Sequence, residues 1–257
     1  MECGEANPQG RKLEWEIALV ALTWNLLVGG EVLAQSPSTF NQDFRLWSPV
    51  FLTIQLPSSL LASMEVSPRF ADLDDAGHID QLVLRPALGY QLTENLSIWQ
   101  GYAWLGNFNQ AHTPPQSPFF EENRISQQVN YTHKFSSLKF MSRTRLEERW
   151  IEQADGTAVR VRQMLSLTYP LPFTPDWELV TFDEIFINLN TVGQRGPEAG
   201  FDENRFFLGV NRRFSQYFNM DVGYQNQLLN SRSIPGLTNQ MNHIILFQLK
   251  FVIEDRP

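Results

Sequence analysis

Cysteine is all but missing from this chain. Cys3 is the single one, so no internal disulfide can form and the compartment cannot be read from thiols. A basic surplus is missing as well: 20 Lys and Arg stand against 28 Asp and Glu, a formal net charge of -8. That balance argues against nucleic acid as a partner, because a phosphate-binding surface needs net basic character or a basic stripe. No apolar run reaches the roughly 20 residues of a membrane-spanning helix; the longest, "IALVALTWNLLV" from Ile17 to Val28, falls short. Metal-ligand spacing of the HExxH kind, a Gly-rich phosphate loop, a nucleophile elbow and a dinucleotide fingerprint are absent, and no cofactor is expected. What is present is a 257-residue chain, 42% hydrophobic, 19% charged, with 19 Phe and 7 Trp. That suits one large all-β domain.

The N-terminus carries a targeting pattern. Arg11 and Lys12 precede the apolar run, and Val32-Leu33-Ala34 stands before Gln35-Ser36. A basic start, a short apolar stretch and a small residue at the cut predict a secretory signal peptide over residues 1–34, with residues 35–257 as a single exported domain. Glu14 and Glu16 depart from the usual charge of such a leader.

From residue 43 onward the chain reads as strands. Alternating runs separated by turn residues predict eleven, near 43–56, 61–70, 81–92, 95–105, 122–135, 138–150, 159–169, 177–190, 203–214, 217–228 and 241–253. Most have at least the 9 to 11 residues that a tilted strand needs to cross a bilayer. In "ENRISQQVNYTHKF" one face holds Ile125, Val129, Tyr131 and Phe135, and the other is wholly polar. In "ENRFFLGVNRRF" Phe206, Leu208, Val210 and Phe214 oppose Glu203, Arg205, Asn211 and Arg213, with Phe207 out of pattern. "LVLRPALGYQL" sets Leu82, Leu84, Leu88, Tyr90 and Leu92 against Arg85 and Gln91.

Connections alternate short (Thr93 to Asn95, Ser136-Ser137, Ser215-Gln216) and long (Gly106 to Glu121, Thr191 to Asp202, Leu229 to Gln240). This is the rhythm of an antiparallel up-and-down transmembrane β-barrel with tight periplasmic turns and longer outer loops. Trp104, Phe135, Trp150, Tyr169, Trp177, Phe214 and Phe218 fall toward strand ends, as interface girdles require. Within "LKFMSRTRLEERW", if Phe140, Leu146 and Trp150 face lipid, then Lys139, Arg143, Arg145, Glu147 and Arg149 project into the lumen. There they would meet Arg160 and Arg162 on the next strand and Glu178 and Glu184 on the one after. The lumen candidates are therefore Arg124, Arg143, Arg145, Glu147, Arg149, Arg160, Arg162, Glu184 and Arg205, an Arg/Glu-rich interior of paired charges. Ser142, Thr144 and Glu148 fit a lipid face poorly, and Glu148 is placed near the rim. Short turns at one rim also call for an even strand count, so ten to twelve are expected, with either a further strand near Gln35 to Gln42 or one N-terminal run outside the wall.

"LRPALGYQL", "EENRISQQ", "RTRLEERW", "VRVRQML", "FDENRFFLGV" and "DVGYQNQ", with His243 near the start of the last strand, resemble the outer-membrane barrel proteins that carry domain of unknown function number 2490. The resemblance runs from about Asp43 to Phe251. It implies a Gram-negative outer-membrane β-barrel, with outer-membrane lipid around it and the barrel assembly machinery as a partner during insertion. It implies no activity. Barrels of this kind usually end on an aromatic residue, whereas Phe251 is followed here by "VIEDRP".

Candidate chemistry is sparse, and the chain reads as no enzyme. His78 and His112 fall in predicted loops, and His133 and His243 near strand ends. His133 and Ser142 lie on neighbouring strands, but the Ser136-Ser137 turn sets His133 against Phe140, out of reach for a nucleophile and base. The doublets Glu121-Glu122, Glu147-Glu148 and Asp202-Glu203 form no dyads, since adjacent strand residues point to opposite faces; each is expected to give one member to a lumen Arg. Asp72, Asp74 and Asp75 read as a solvated acidic loop. Three readings stay open: a narrow pore whose arginines favour small anionic solutes, an ion-pair-plugged barrel acting through its loops, and a soluble periplasmic β-domain binding a small acidic ligand.

Overall fold

The computed structural model describes residues 41–73, 77–108, 119–152, 154–193, 196–230 and 239–254. The expected signal peptide lies outside them, as do residues 35–40, Asp74, Asp75 and His112. Twelve strands follow in order: β1 (Asn41–Trp47), β2 (Val50–Gln55), β3 (Leu60–Ala71), β4 (His78–Gln91), β5 (Leu96–Phe108), β6 (Phe119–Phe135), β7 (Leu138–Ile151), β8 (Thr157–Pro170), β9 (Trp177–Asn188), β10 (Gly200–Arg213), β11 (Phe218–Leu229) and β12 (Gln240–Glu254).

β1 and β2 are one wall strand interrupted at Ser48-Pro49. Both pair in parallel with β12 and antiparallel with β3. Their registers are continuous: Trp47 lies beside Leu246, and Val50 beside Leu249. Pro49 has no N–H to give to a ladder, which accounts for the break. The chain stays in the wall across it, because Ser48 N–H donates to the Pro68 carbonyl and Leu249 N–H to the Pro49 carbonyl. The wall is therefore a closed barrel of eleven strands, antiparallel at every seam except the one that closes it. Eleven falls within the expected ten to twelve, but the even parity does not hold: the runs at 43–56 and 61–70 are both wall strands, and most of the further strand weighed near Gln35 to Gln42 lies outside the described residues. A parallel closure lets first and last strands run the same way. The chain enters the wall at the long-loop rim and leaves it at the short-turn rim.

Tight turns recur for a local chemical reason. Thr93 Oγ1 accepts from the N–H groups of Asn95 and Leu96, and Ser215 Oγ accepts from those of Tyr217 and Phe218. Each hydroxyl caps the reversal that its backbone makes.

The wall is apolar outside and polar inside. Leu88, Ile98, Leu165, Leu208, Ile245 and Ile253 are exposed on the outer face, Leu88 at 68%, whereas Glu122, Arg145, Glu147, Arg160, Arg162 and Glu184 are buried. This reverses the arrangement of a soluble sandwich and matches a transmembrane barrel. The strands β3 to β12 run 12 to 17 residues, long enough to cross. The polar residues that fitted the outer face poorly satisfy one another: Thr144 Oγ1 donates to Gln163 Oε1 at 2.5 Å, and Gln163 Nε2 donates to Ser142 Oγ at 3.0 Å. Glu148 opposes Ile125 and Val159 on that face, near the upper end of β7.

Inside, the barrel is layered, with a small polar group at the short-turn end where Asn211 and Lys250 bond the buried Asp221. Toward the short turns Trp47, Val180, Phe207, Ile244 and Leu246 form a buried apolar cluster with Phe182 packed against it. Phe207, out of pattern in the sequence, points inward and is 0% exposed. Its ring stacks on Phe182 at 4.9 Å and lies against the opposed pair Gly209 and Gly223, where an added Cβ at Gly209 would come within 2.5 Å of the Phe207 ring. The glycines make the flat bed that this aromatic needs. Above it, toward the long loops, the charges collect.

Candidate functional site

Period-two alternation brings the inward arginines and carboxylates of β6 to β10 to one level. Glu147 on β7 is 1% exposed and sits at the centre. Arg160 Nη2 donates to its Oε2 at 2.6 Å and Arg162 Nη1 to its Oε1 at 2.8 Å, with Arg124 and Arg145 each 3.7 Å away. Glu184 on β9 accepts from Arg162 Nε at 3.0 Å and from Arg143 Nη2 at 2.9 Å. Glu122 on β6 takes a two-pronged contact from Arg124, 2.7 and 2.9 Å, and a third bond from Arg149 at 2.6 Å. Arg205 bonds Glu203, two residues away on the same strand, and Arg145 Nε donates to Gln128 at 2.7 Å. Planar guanidinium forks suit this sharing, since each can serve two carboxylates at once.

All nine lumen candidates read from sequence, Arg124, Arg143, Arg145, Glu147, Arg149, Arg160, Arg162, Glu184 and Arg205, thus lie in one lattice. Glu178, lower on β9, makes no ion pair among the described residues. His133 lies opposite Phe140 in the ladder, stacks on Tyr131 and meets Phe135 edge-on, while Ser142 lies opposite Tyr131; the two do not form a dyad.

One β-bulge corrects the expectation for the Asp202-Glu203 doublet, and a second turns a lone acid inward. At Asp202 the ladder with β9 skips a residue, so Asp202 and Glu203 both turn to the lumen: Arg160 Nη1 donates to Asp202 at 2.8 Å while Glu203 holds Arg205. At Asp80 the β3–β4 ladder skips in the same way, and Arg45 Nη1 donates to Asp80 at 2.8 Å. An extra residue breaks the two-residue period, and an acid that should face outward faces in. Glu121-Glu122 and Glu147-Glu148 lie in unbroken ladder, and there one member alone enters the lattice.

The first three wall strands add a second group. Arg45 bonds Asp43 at 2.6 Å, Arg85 bonds Glu65, and Arg69 donates to Gln81 at 2.6 Å. Trp47 lies beneath two guanidinium groups, those of Arg69 and Arg205, 4.0 and 4.9 Å from its ring centre, and Phe186 lies beneath three, those of Arg160, Arg162 and Arg205, at 4.5 to 4.9 Å. Above these rings is a chamber of about 420 Å³ that reaches the long-loop rim at Asn41, Pro197 and Gln240. Among the described residues its lining holds eight arginines and four carboxylates. No group of His, Cys, Asp and Glu able to hold a metal ion occurs among the described residues.

A family model described as "Protein of unknown function (DUF2490)" matches residues 44–237. The chain belongs to this family. It is 31% identical over 189 residues, 72% of its length and 77% of the relative's, to an uncharacterized protein of Methylorubrum extorquens. Among solved structures, the outer-membrane protein OmpT of Vibrio cholerae aligns with a TM-score of 0.39 at 11% identity, over 68% of this chain and 57% of that one. Its loop L8 deletion mutant aligns at 0.38 and 13%, over 65% and 56%. This member of the family thus spans little more than half the length of those barrels.

Arg45, Glu65 and Arg69 were missed in the sequence although a signal for them exists. Glu65, Ser67 and Arg69 alternate with Met64, Val66 and Pro68 in β3, and Asp43 and Arg45 share a face of β1. Both runs are short on charge, so their polar faces stand out less than that of β7.

Proposed function

We propose that this protein is an outer-membrane barrel that binds at its long-loop face and does not conduct. The observation carrying this reading is the filled middle of the lumen. Below the chamber, Glu147, Phe207, Ile244 and Leu246, from three different wall strands, are all 0–3% exposed. Passage would require breaking buried ion pairs and lifting Phe207 off its glycine bed, and both are costly. Of the readings left open by the sequence, the plugged barrel is favoured over the narrow pore. An outer wall of exposed Leu, Ile and Phe disfavours a soluble domain.

Planar-bilayer recording on the refolded protein tests the proposal. Silence across applied voltage is expected. Steady single-channel conductance, with a selectivity altered by Arg143→Gln or Arg145→Gln, would restore the pore.

A further inference from the structure

We propose that the chamber is a binding site for a small dianion, of the phosphate or dicarboxylate type, centred on Arg69 and Arg205 above Trp47. The inference rests on reading the lumen as a chamber closed below.

Charge is the first argument. The lattice and the second group together contain nine arginines in ion pairs, served by eight carboxylates. Arg69 is a tenth arginine and lies within 4 Å of no carboxylate among the described residues; its single side-chain bond goes to the neutral Gln81. Ten guanidinium groups against eight carboxylates leave two positive charges, in a space where bulk water cannot screen them fully. Two negative charges on one small molecule would balance them.

Unused donors are the second argument. Arg69 Nε and Trp47 Nε1 are buried and have no hydrogen-bond partner among the described residues. Trp47 is 4% exposed and lines the chamber together with Arg69 and Arg205. A buried donor left unpaired costs about as much as a lost hydrogen bond, so two such donors on side chains that line one cavity favour an acceptor brought in from outside, reached by a small turn of Arg69. Oxyanions accept from guanidinium forks in a two-pronged geometry, which the free edge of Arg69 permits.

Shape is the third. The chamber, at about 420 Å³, reaches the rim beside Asn41 and Gln240, and in volume it is in the range of small-molecule sites. Arg69 and Arg205 lie over the same indole, which holds two cations near one another with no carboxylate assigned to the first.

Calorimetric titration of the detergent-solubilised protein at low chloride tests this, with inorganic phosphate and succinate as probes and acetate as the singly charged control. Saturable binding of phosphate or succinate is expected, with acetate at least tenfold weaker. Arg69→Gln should weaken the dianion roughly tenfold or more, the usual loss when a charge-assisted bond is removed, and Arg69→Lys should recover part of it. Arg205→Lys, which keeps the charge beside Glu203 but loses the fork, should weaken it less. Arg212→Gln, on the outer face against Trp177 and Phe214, should change nothing. Absence of saturable heat in the wild type, equal binding by Arg69→Gln, or acetate as tight as phosphate would each overturn the proposal. A conducting protein that still binds phosphate refutes the closed lumen alone, and a silent one that binds neither probe refutes the site alone.

Discussion

Replacing Glu147 with Gln should destabilise the barrel by about 3–5 kcal/mol. The substitution keeps the shape and removes one charge, so the loss is electrostatic. Glu147 accepts from Arg160 at 2.6 Å and Arg162 at 2.8 Å, and Arg124 and Arg145 stand 3.7 Å off. Hydrogen bonds to charged groups contribute about 1.5–3 kcal/mol each, so the two short ones alone account for roughly 3–6 kcal/mol. Arg162 keeps Glu184 and Arg160 keeps Asp202, which places the expected loss at the lower end of that range. Exposure gives little reason to discount it further, since Glu147 is 1% exposed. The assay is urea unfolding of the refolded protein in detergent, followed by tryptophan emission, with gel mobility of unboiled samples as a check that the barrel closes. A loss below about 1 kcal/mol would refute the reasoning, because that is the scale of ion pairs exposed to water, and the lattice would then have to be hydrated throughout.

Other outcomes follow from the same geometry. Cysteines placed at Leu46 and Ile245, which are partners in the parallel seam, should be linked by oxidation or a short bismaleimide within one chain; a non-reducing gel reads the change in mobility, and no linkage would contradict the parallel closure. Gly223→Ala would bring a Cβ against the Leu208 carbonyl oxygen, to 2.5 Å from Gly209 Cα and to 2.9 Å from the Phe207 ring and should cost about 1–3 kcal/mol through overpacking, read as a lower temperature of the heat-induced gel shift; an unchanged temperature would mean that the β10–β11 backbone gives way as well as Phe207. Deleting Asp202 should restore the β9–β10 ladder and remove one partner of Arg160, weakening the barrel in urea, whereas a neutral result would deny the bulge its role.

Much of the wall was legible because its signal is local. A strand that faces lipid on one side and charge on the other must alternate residue by residue, so β6, β7, β8 and β10 announced themselves, and the same period assigned Arg143, Arg145 and Glu147 to one face. Phe207 defied the alternation because its bed is supplied by glycines on its own strand and on β11. Asp80 and Asp202 defied it because a bulge depends on the partner's register, which neither strand carries alone. Arg69 was passed over because β3 offers only two charges, Glu65 and Arg69, over its length.

By itself the sequence determined the strand lengths, the two faces of each strand and the alternation of tight and long connections, since each depends on residues close together in the chain. Only the tertiary structure decided that the barrel closes through a parallel pair, that eleven strands therefore suffice, and that nine arginines share eight carboxylates while Arg69 is left with none among the described residues. Those outcomes depend on which side chains from distant strands occupy the same volume, and a closed wall settles that by bringing Trp47, Phe186 and Glu147 into one lumen.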